Sequence, residues 1–412
     1  MPPSASRLPT MNRAYLAVLV AALGYFVDLF DLQLFAVVRV GSLRDLGLPD
    51  DQITSAGAML LNWQMAGMLL GGILWGVLGD KKGRVYVLFG SILLYSLGNI
   101  ANGLIHSVPA YAIARFMAGI GLAGEVGAGI TLVSELLPKE TRGYATTIVS
   151  ACGFIGICTA GVMGEVLGWR MAYIGGGILG LLLLILRISV SESGLFTAMT
   201  KKSDVPRGRF IMLFNNRKRF MRYLRCIGLA VPVYFVFGIL AIFSPEIGQA
   251  LGTDVPVKAF IAVICYGVGS AMGGVVSGLL SQALASRKKV LAIFIGITCA
   301  AGLGLLLCRG ITAAGYYVIS TIAAFGTGYW AMFLTTTAEN FGTNLRTTAA
   351  ATVPNFVRAS VIADTYLLIH LKPGLGLIGA AQVVGVLCVT VALLALWKLP
   401  ETFARDLDFI EK

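Results

Sequence analysis

The stretch SELLPKETRGYATT at 134–147 is echoed by AENFGTNLRTTAAA at 338–351, with Glu135 and Arg142 answered by Glu339 and Arg346 at one constant displacement. A repeat at that separation in a 412-residue chain reads as two copies of one unit. Weaker echoes agree: GVLGDKKGR at 76–84 is followed by GLLSQALASRKK at 278–289, and SESGLF at 191–196 by PETF at 400–403. Between the copies lies the one long polar, basic stretch, 191–222, which reads as a linker.

What each copy is made of follows from composition. Hydrophobic residues are 57% of the chain, charged residues 13%, and the mean hydropathy is +0.84, whereas soluble domains carry roughly a quarter charged residues. Water cannot be the solvent of such a surface. Apolar runs of about twenty residues, each able to cross a hydrocarbon core of ~30 Å, recur along the chain. Their pattern is not the short alternating strand of a barrel, so helices are the expected spanning element. The runs fall near 14–38, 54–79, 85–106, 109–133, 144–166, 169–190, 224–247, 258–282, 289–308, 312–338, 347–370 and 374–397. The expected fold is all-α integral membrane, with twelve transmembrane helices in two pseudo-symmetric six-helix bundles. Its parts are a tail (1–13), a first bundle (14–190), the linker (191–222), a second bundle (223–398) and a tail (399–412).

A net charge of +12 raises the question of a polyanionic partner, and placement answers it. Lys81, Lys82, Arg84, Lys139, Arg142, the run from Lys201 to Arg225, Arg287, Lys288, Lys289, Arg346 and Arg405 fall on one side of the predicted bundle. Arg39, Arg44, Arg170, Lys258, Arg309 and Lys372 fall on the other. This is the positive-inside asymmetry, so both termini are expected in the cytoplasm and no nucleic-acid partner is implied. The start, MPPSASRLPTMNR, is short and basic, and the run after it is too long and lacks a cleavage site for a signal peptide; it is expected to stay as the first helix. Seven cysteines stand singly without a CxxC pair, and the two histidines, His106 and His370, sit near helix ends. No metal site and no cofactor is expected.

An ionisable side chain at membrane depth costs at least ~2.5 kcal/mol on insertion scales, so each one needs a reason. Asp28 and Asp31 share a face of helix one, Arg115 and Glu125 lie in helix four, and Arg358 and Asp364 lie in helix eleven. At the repeat displacement Asp28, Asp31, Arg115 and Glu125 map onto Pro232, Phe235, Ile319 and Tyr329, and Arg358 maps back onto Phe154, so the unit can be built without charge there. Asp31 and Arg115 come to similar depth, which favours an ion pair. Two readings stand. The charges either hold helix one to helix four and nothing more, or Asp28, Asp31, Arg115 and Glu125 form a proton-coupling set in which protonating a carboxyl loosens its hold on Arg115 and changes which end of the bundle opens. Arg358 falls near mid-helix, and a guanidinium grips a carboxylate in a two-point fork. It either binds an anionic solute or is neutralised by Asp28 across the cavity. Tyr25, Tyr234, Tyr329, Trp330 and Asn355, with Asn62, Gln64 and Tyr366, are the polar and aromatic candidates to line that cavity beside Arg358 and Asp28.

GVLGDKKGR fits G-x-x-x-D-[RK]-x-G-[RK], and ARFMAGIGLAGE at 114–125 fits a fourth-helix motif. On these two motifs the chain resembles the major facilitator superfamily over nearly its whole length. DLFD at 28–31, Gly124-Glu125, the E-x-x-P-x-x-x-R-G from Glu135 to Gly143 and the arginine of helix eleven resemble the aromatic-acid:proton symporters and related organic-ion transporters. The resemblance implies the major facilitator fold and an Arg358 that faces the central cavity. It also implies that Asp80, Arg84, Glu135 and Arg142, with Glu339 and Arg346 in the second copy, latch the cytoplasmic side in the outward-facing state. The expected function is secondary transport of a small organic anion by alternating access, coupled to protons. The chain is expected to work as a monomer in a lipid bilayer, the bacterial inner membrane. A carrier of neutral or cationic solutes with Asp28 and Asp31 as binding charges, and a membrane sensor that does not transport, are the alternatives. An enzyme is not expected, since GxSxG, HExxH and P-loop patterns are missing.

Overall fold

The computed structural model describes residues 10–82, 84–136, 142–191 and 213–403. The first half consists of α1 (Thr10–Asp45), α2 (Asp50–Lys82), α3 (Arg84–Leu104), α4 (Val108–Leu136), α5 (Arg142–Val166) and α6 (Gly168–Ser191). In the second, α7 (Arg217–Phe235) runs on as a π-helical turn over Val236–Ala241 before α8 (Ser244–Leu251). Then follow α9 (Ala259–Ala283), α10 (Arg287–Leu305), α11 (Ala313–Thr327), α12 (Trp330–Glu339) and α13 (Thr343–Lys398). Taking α7 with α8 and α11 with α12, and α13 as two helices joined at Gly376, the described residues make twelve spans, six to a half. Among the described residues eight helical segments are by themselves long and apolar enough to cross a membrane. Their outward faces carry Leu70, Ile185, Leu279 and Trp397, each more than half exposed, an apolar surface suited to lipid and not to water.

Several boundaries differ from the sequence reading. Helix one does not stop at residue 38 but runs to Asp45, because Arg39 is no loop cation: it is fully buried and matched inside the protein. The run 224–247 breaks after its π turn and restarts at Ser244, with Pro245 supplying the fixed φ of a first helical turn. The run 312–338 breaks at Gly328 and Tyr329. There α11 backs onto α9 so closely that a Cβ on Gly328 would stand 2.2 Å from the carbonyl carbon of Gly273. The last two runs meet at Gly376, whose φ of 69° favours glycine.

The PETF echo has a definite role in the packing. The Glu401 carboxylate accepts from the backbone N–H groups of Arg287 at 2.9 Å and Lys288 at 3.2 Å, capping α10 together with Ser286. Partial burial opposes ionisation of Glu401. Hydrogen bonds from the Ser286 hydroxyl and from the N–H groups of Phe403, Arg287 and Lys288 outweigh it and bring the carboxyl from 4.5 down to about 2. Thr402 donates to Glu339 at 2.6 Å, so the segment ties the ends of α10, α12 and α13 together.

The halves meet along two seams, α2 against α13 and α5 against α9. Each seam is the repeat mate of the other, as a duplicated unit requires. Within the first half a Cβ on Gly119 would stand 2.3 Å from the Gln64 carbonyl oxygen. That closeness between α4 and α2 brings the Gln64 side chain beside Arg115.

Candidate functional site

Two charge clusters hang from neighbouring turns of α1. Asp28 points to the other half. Its Oδ1 and Oδ2 accept from Arg358 Nη1 at 3.0 Å and Nη2 at 2.6 Å, and Arg358 Nε donates to the Tyr234 hydroxyl at 3.0 Å. Both charged side chains are sealed from solvent, 0% and 1% exposed. A planar fork on a carboxylate is the strongest geometry a guanidinium has, and here it joins α1 to α13.

Asp31, one turn on, stays within its own half. Arg115 Nη1 lies 3.8 Å from Asp31 Oδ1, and Gln64 stands between them. The Gln64 amide donates to Asp31 Oδ2 at 2.6 Å, while its carbonyl accepts from Arg115 Nη2. Arg115 also donates to the Tyr173 hydroxyl at 3.3 Å and lies over the Phe35 ring at 4.3 Å. Tyr111 donates to that same hydroxyl at 2.8 Å. Glu125 is buried in α4 and accepts from Ser91 of α3 at 2.8 Å.

The aromatic candidates divide. Tyr234 meets Trp330 and Phe237 edge to face, both with centroids 5.6 Å apart, and Phe237 continues to Tyr266 at 5.8 Å, giving an aromatic row beside the Arg358 guanidinium. Tyr25 stands one turn before Asp28 and packs over Gly153. Asn355 reaches across the seam to the Ala123 carbonyl at 3.3 Å, and Asn62 accepts from Thr365 at 2.6 Å. Tyr329 turns into the core of its own half and donates to the Leu229 carbonyl at 2.9 Å. Tyr366 is on the outward surface, 58% exposed and packed at a tilt against His370, so it lines nothing.

One pair escaped the sequence reading. Arg39, about three turns beyond Asp28 on the same face of α1, donates to both Glu246 oxygens at 2.6 and 2.7 Å and to the Ile242 carbonyl at 3.1 Å. Its guanidinium lies over Phe243 at 4.6 Å, and a Cβ on Gly57 would stand 2.6 Å from its Cδ. The break between the π turn and α8 is what carries Glu246 to it. Among the described residues Asp28–Arg358 and Arg39–Glu246 are the ion pairs that cross between the halves, and both grow from α1. Of the expected latch, Glu339 pairs with Arg287 at 3.3 Å. The side chains of Asp80, Arg84, Glu135, Arg142 and Arg346 lie outside the described residues.

Comparison with known proteins matches residues 21–363 to the model of the Major Facilitator Superfamily. The chain is 26% identical over 404 residues to the probable 4-methylmuconolactone transporter of Cupriavidus pinatubonensis, covering 92% of this chain and 89% of that one. It is 26% identical over 408 residues, 96% of each chain, to the 3-(3-hydroxy-phenyl)propionate transporter of Escherichia coli. The crystal structure of a D-xylose-proton symporter superposes with a TM-score of 0.65 at 18% identity, over 95% of this chain and 99% of that one, a likeness of fold alone.

Proposed function

The chain belongs to the Major Facilitator Superfamily, a membrane-embedded transporter and not an enzyme, and on that premise we propose that it moves a small organic carboxylate by alternating access, coupled to protons. One observation carries the reading: Arg358 holds the Asp28 carboxylate in its fork, between the halves, in the way it would hold a solute's carboxylate. An incoming carboxylate takes over the two N–H donors, and Asp28, deprived of its cation, takes a proton on one oxygen. The charge of the site is unchanged, while one anion and one proton have been bound together. Tyr234 keeps the guanidinium aimed, and the row through Trp330, Phe237 and Tyr266 offers ring faces to a flat or unsaturated acid. The names of the two relatives, a muconolactone and a phenylpropionate transporter, are of that chemistry.

The remaining residues take supporting parts. Asp31, Gln64 and Arg115 hold α1 to the first half so that a change at Asp28 moves that half as a body, while Glu125 ties α4 to Ser91 of α3. With basic loops and both termini in the cytoplasm of a bacterial inner membrane, Arg39–Glu246 lies toward the outside and holds that side shut. Asp80, Arg84, Glu135, Arg142, Glu339 and Arg346 serve as the opposite latch. The chain works as a monomer. A neutral or cationic solute seated on Asp28 and Asp31 would strip Arg358 and Arg115 of their carboxylates and leave two buried guanidinium groups unmatched, which disfavours that reading.

Arg358→Ala set beside Arg358→Ala with Asp28→Asn tests the site. Folded yield is scored, together with stabilisation by a panel of aromatic, aliphatic and sugar acids, with cations and neutral sugars as controls. The expected result is anion stabilisation in the wild type, absent from both variants, with yield recovered in the double variant. Recovered yield with recovered anion affinity would overturn the reading, as would a wild type stabilised by cations alone.

A further inference from the structure

We propose that Asp364 is a second proton-binding group of this carrier, in the C-terminal half, and that it holds its proton in the conformation described. This rests on the proton-coupled reading above and adds a site to it. Asp364 lies in α13, 5% exposed. Its Oδ1 accepts from the Cys388 thiol at 3.3 Å, and its Oδ2 has no hydrogen-bond partner among the described residues. A thiol is a weak donor. Arg358, on the same helix, spends its guanidinium on Asp28 and Tyr234. On the second helix of α13 the titratable group facing Asp364 is Cys388 itself. Tyr329, at the break before α12, has its hydroxyl committed to the Leu229 carbonyl of α7.

The contrast with the acids that a basic side chain holds is what points to a proton. Asp28 has Arg358, Asp31 has Gln64 and Arg115, and Glu246 has Arg39. An ionised carboxylate buried with only a thiol beside it carries a heavy desolvation penalty, which a neutral carboxylic acid escapes. Packing does not ask for an acid there: at the repeat displacement Asp364 maps onto Ala160, which is fully buried in α5.

Its position ties the proton to the movement of the halves. Thr365, the next residue, donates to Asn62 of α2 across the seam, and Arg358 grips Asp28 less than two turns back on α13. Ionising Asp364 would put an unmatched charge between the two helices of α13, directly behind those cross-half contacts. The proton therefore favours the packed arrangement, and its loss favours the arrangement in which α13 has moved to bring Asp364 to water.

Infrared spectroscopy of the purified full-length protein reads the proton without any transport. At neutral pH the wild type should show a protonated carboxyl C=O band that Asp364→Asn removes and Cys388→Ala shifts to higher frequency, since the thiol donor is gone. In proteoliposomes Asp364→Asn should lower uptake driven by a pH gradient at least tenfold more than it lowers substrate exchange. No such band in the wild type, a band unaltered by Asp364→Asn, or equal losses of gradient-driven uptake and exchange would overturn the proposal. Where Asp364→Asn does not fold, the shift in Cys388→Ala decides, and an unshifted band overturns it. A wild type indifferent to a pH gradient would instead sink the coupling reading, and the band would still report on Asp364.

Discussion

The Asp28–Arg358 pair and the Asp31–Gln64–Arg115 cluster begin one turn apart on α1 and have the same chemistry, yet one crosses between the halves and the other does not. A contact between two bodies that must part has to be exchangeable, and a two-point fork on a carboxylate is exchangeable for another carboxylate. A contact inside one body has no such demand. There a neutral amide is wedged between acid and base, with two tyrosines and a phenylalanine packed around the guanidinium. The lesson is that a buried charge in this bundle is read by whom it faces, not by how deep it lies.

The sharpest way to break that comparison is at Arg358. Arg358→Ala should lower anion affinity by about 100-fold or more, the ~3 kcal/mol or greater loss expected when one partner of a buried charged contact is removed. Arg358→Lys should restore only part of it, because the fork is gone. Ligand-dependent thermal shift in detergent measures both. Equal affinity in the lysine variant would show that charge alone matters there.

Next comes the pair of neutral amides. Asp28→Asn imitates the protonated carboxyl and is expected to abolish uptake driven by a pH gradient while keeping exchange, whereas Asp31→Asn, still bridged to Arg115 through Gln64, is expected to keep a measurable gradient response. Counterflow and gradient-driven uptake in the same proteoliposomes separate the two. Identical behaviour of the variants would erase the distinction between the clusters.

A smaller effect is expected at the wedge itself. Gln64→Leu leaves Asp31 and Arg115 short of their shared partner and should destabilise the protein by about 1–3 kcal/mol, while changing anion affinity by no more than about twofold. A thermal melt with and without anion checks it. A loss of affinity as large as that of Arg358→Ala would mean that Gln64 touches solute.

The smallest effect lies far from both clusters. The Glu401 carboxyl is held down at about 2 in the folded chain against an ordinary 4.5, so it contributes stability that is present above pH ~4.5 and lost as pH falls toward ~2. Solvent screening limits this to about 1 kcal/mol or less. Glu401→Gln should flatten the acid side of the melting-temperature profile while leaving the clusters on α1 untouched. An unchanged profile would mean that the cap carries no net charge interaction.

How far the sequence carried depends on the kind of residue. Asp28, Asp31, Arg115 and Arg358 were legible as candidates because a charge inside an apolar run cannot be neutral to the energy of insertion. Tyr366 reads as a cavity residue yet faces outward, because an aromatic ring suits lipid and cavity equally well, and nothing in its spacing tells the two faces apart. Arg39 reads as a loop cation in the sequence because it follows an apolar run. Its one signal was its place on the Asp28 face of α1, which gains meaning only once Glu246 is known to meet it. Asp364 was visible as a charge, but its want of a cation was not.

The sequence by itself determined the solvent, the helical class, the duplication and the list of charges that needed a reason. Composition fixes which surface can be exposed, and a repeat survives in the order of residues. Which acid met which base was decided by tertiary structure alone: by the closeness of α4 to α2 that inserts Gln64 beside Arg115, by the π turn and break that carry Glu246 to Arg39, and by the seam that sets Arg358 before Asp28. In a chain whose lipid face and core face are equally apolar, hydrophobic periodicity does not fix the rotation of a helix about its axis. Only packing against its neighbours does.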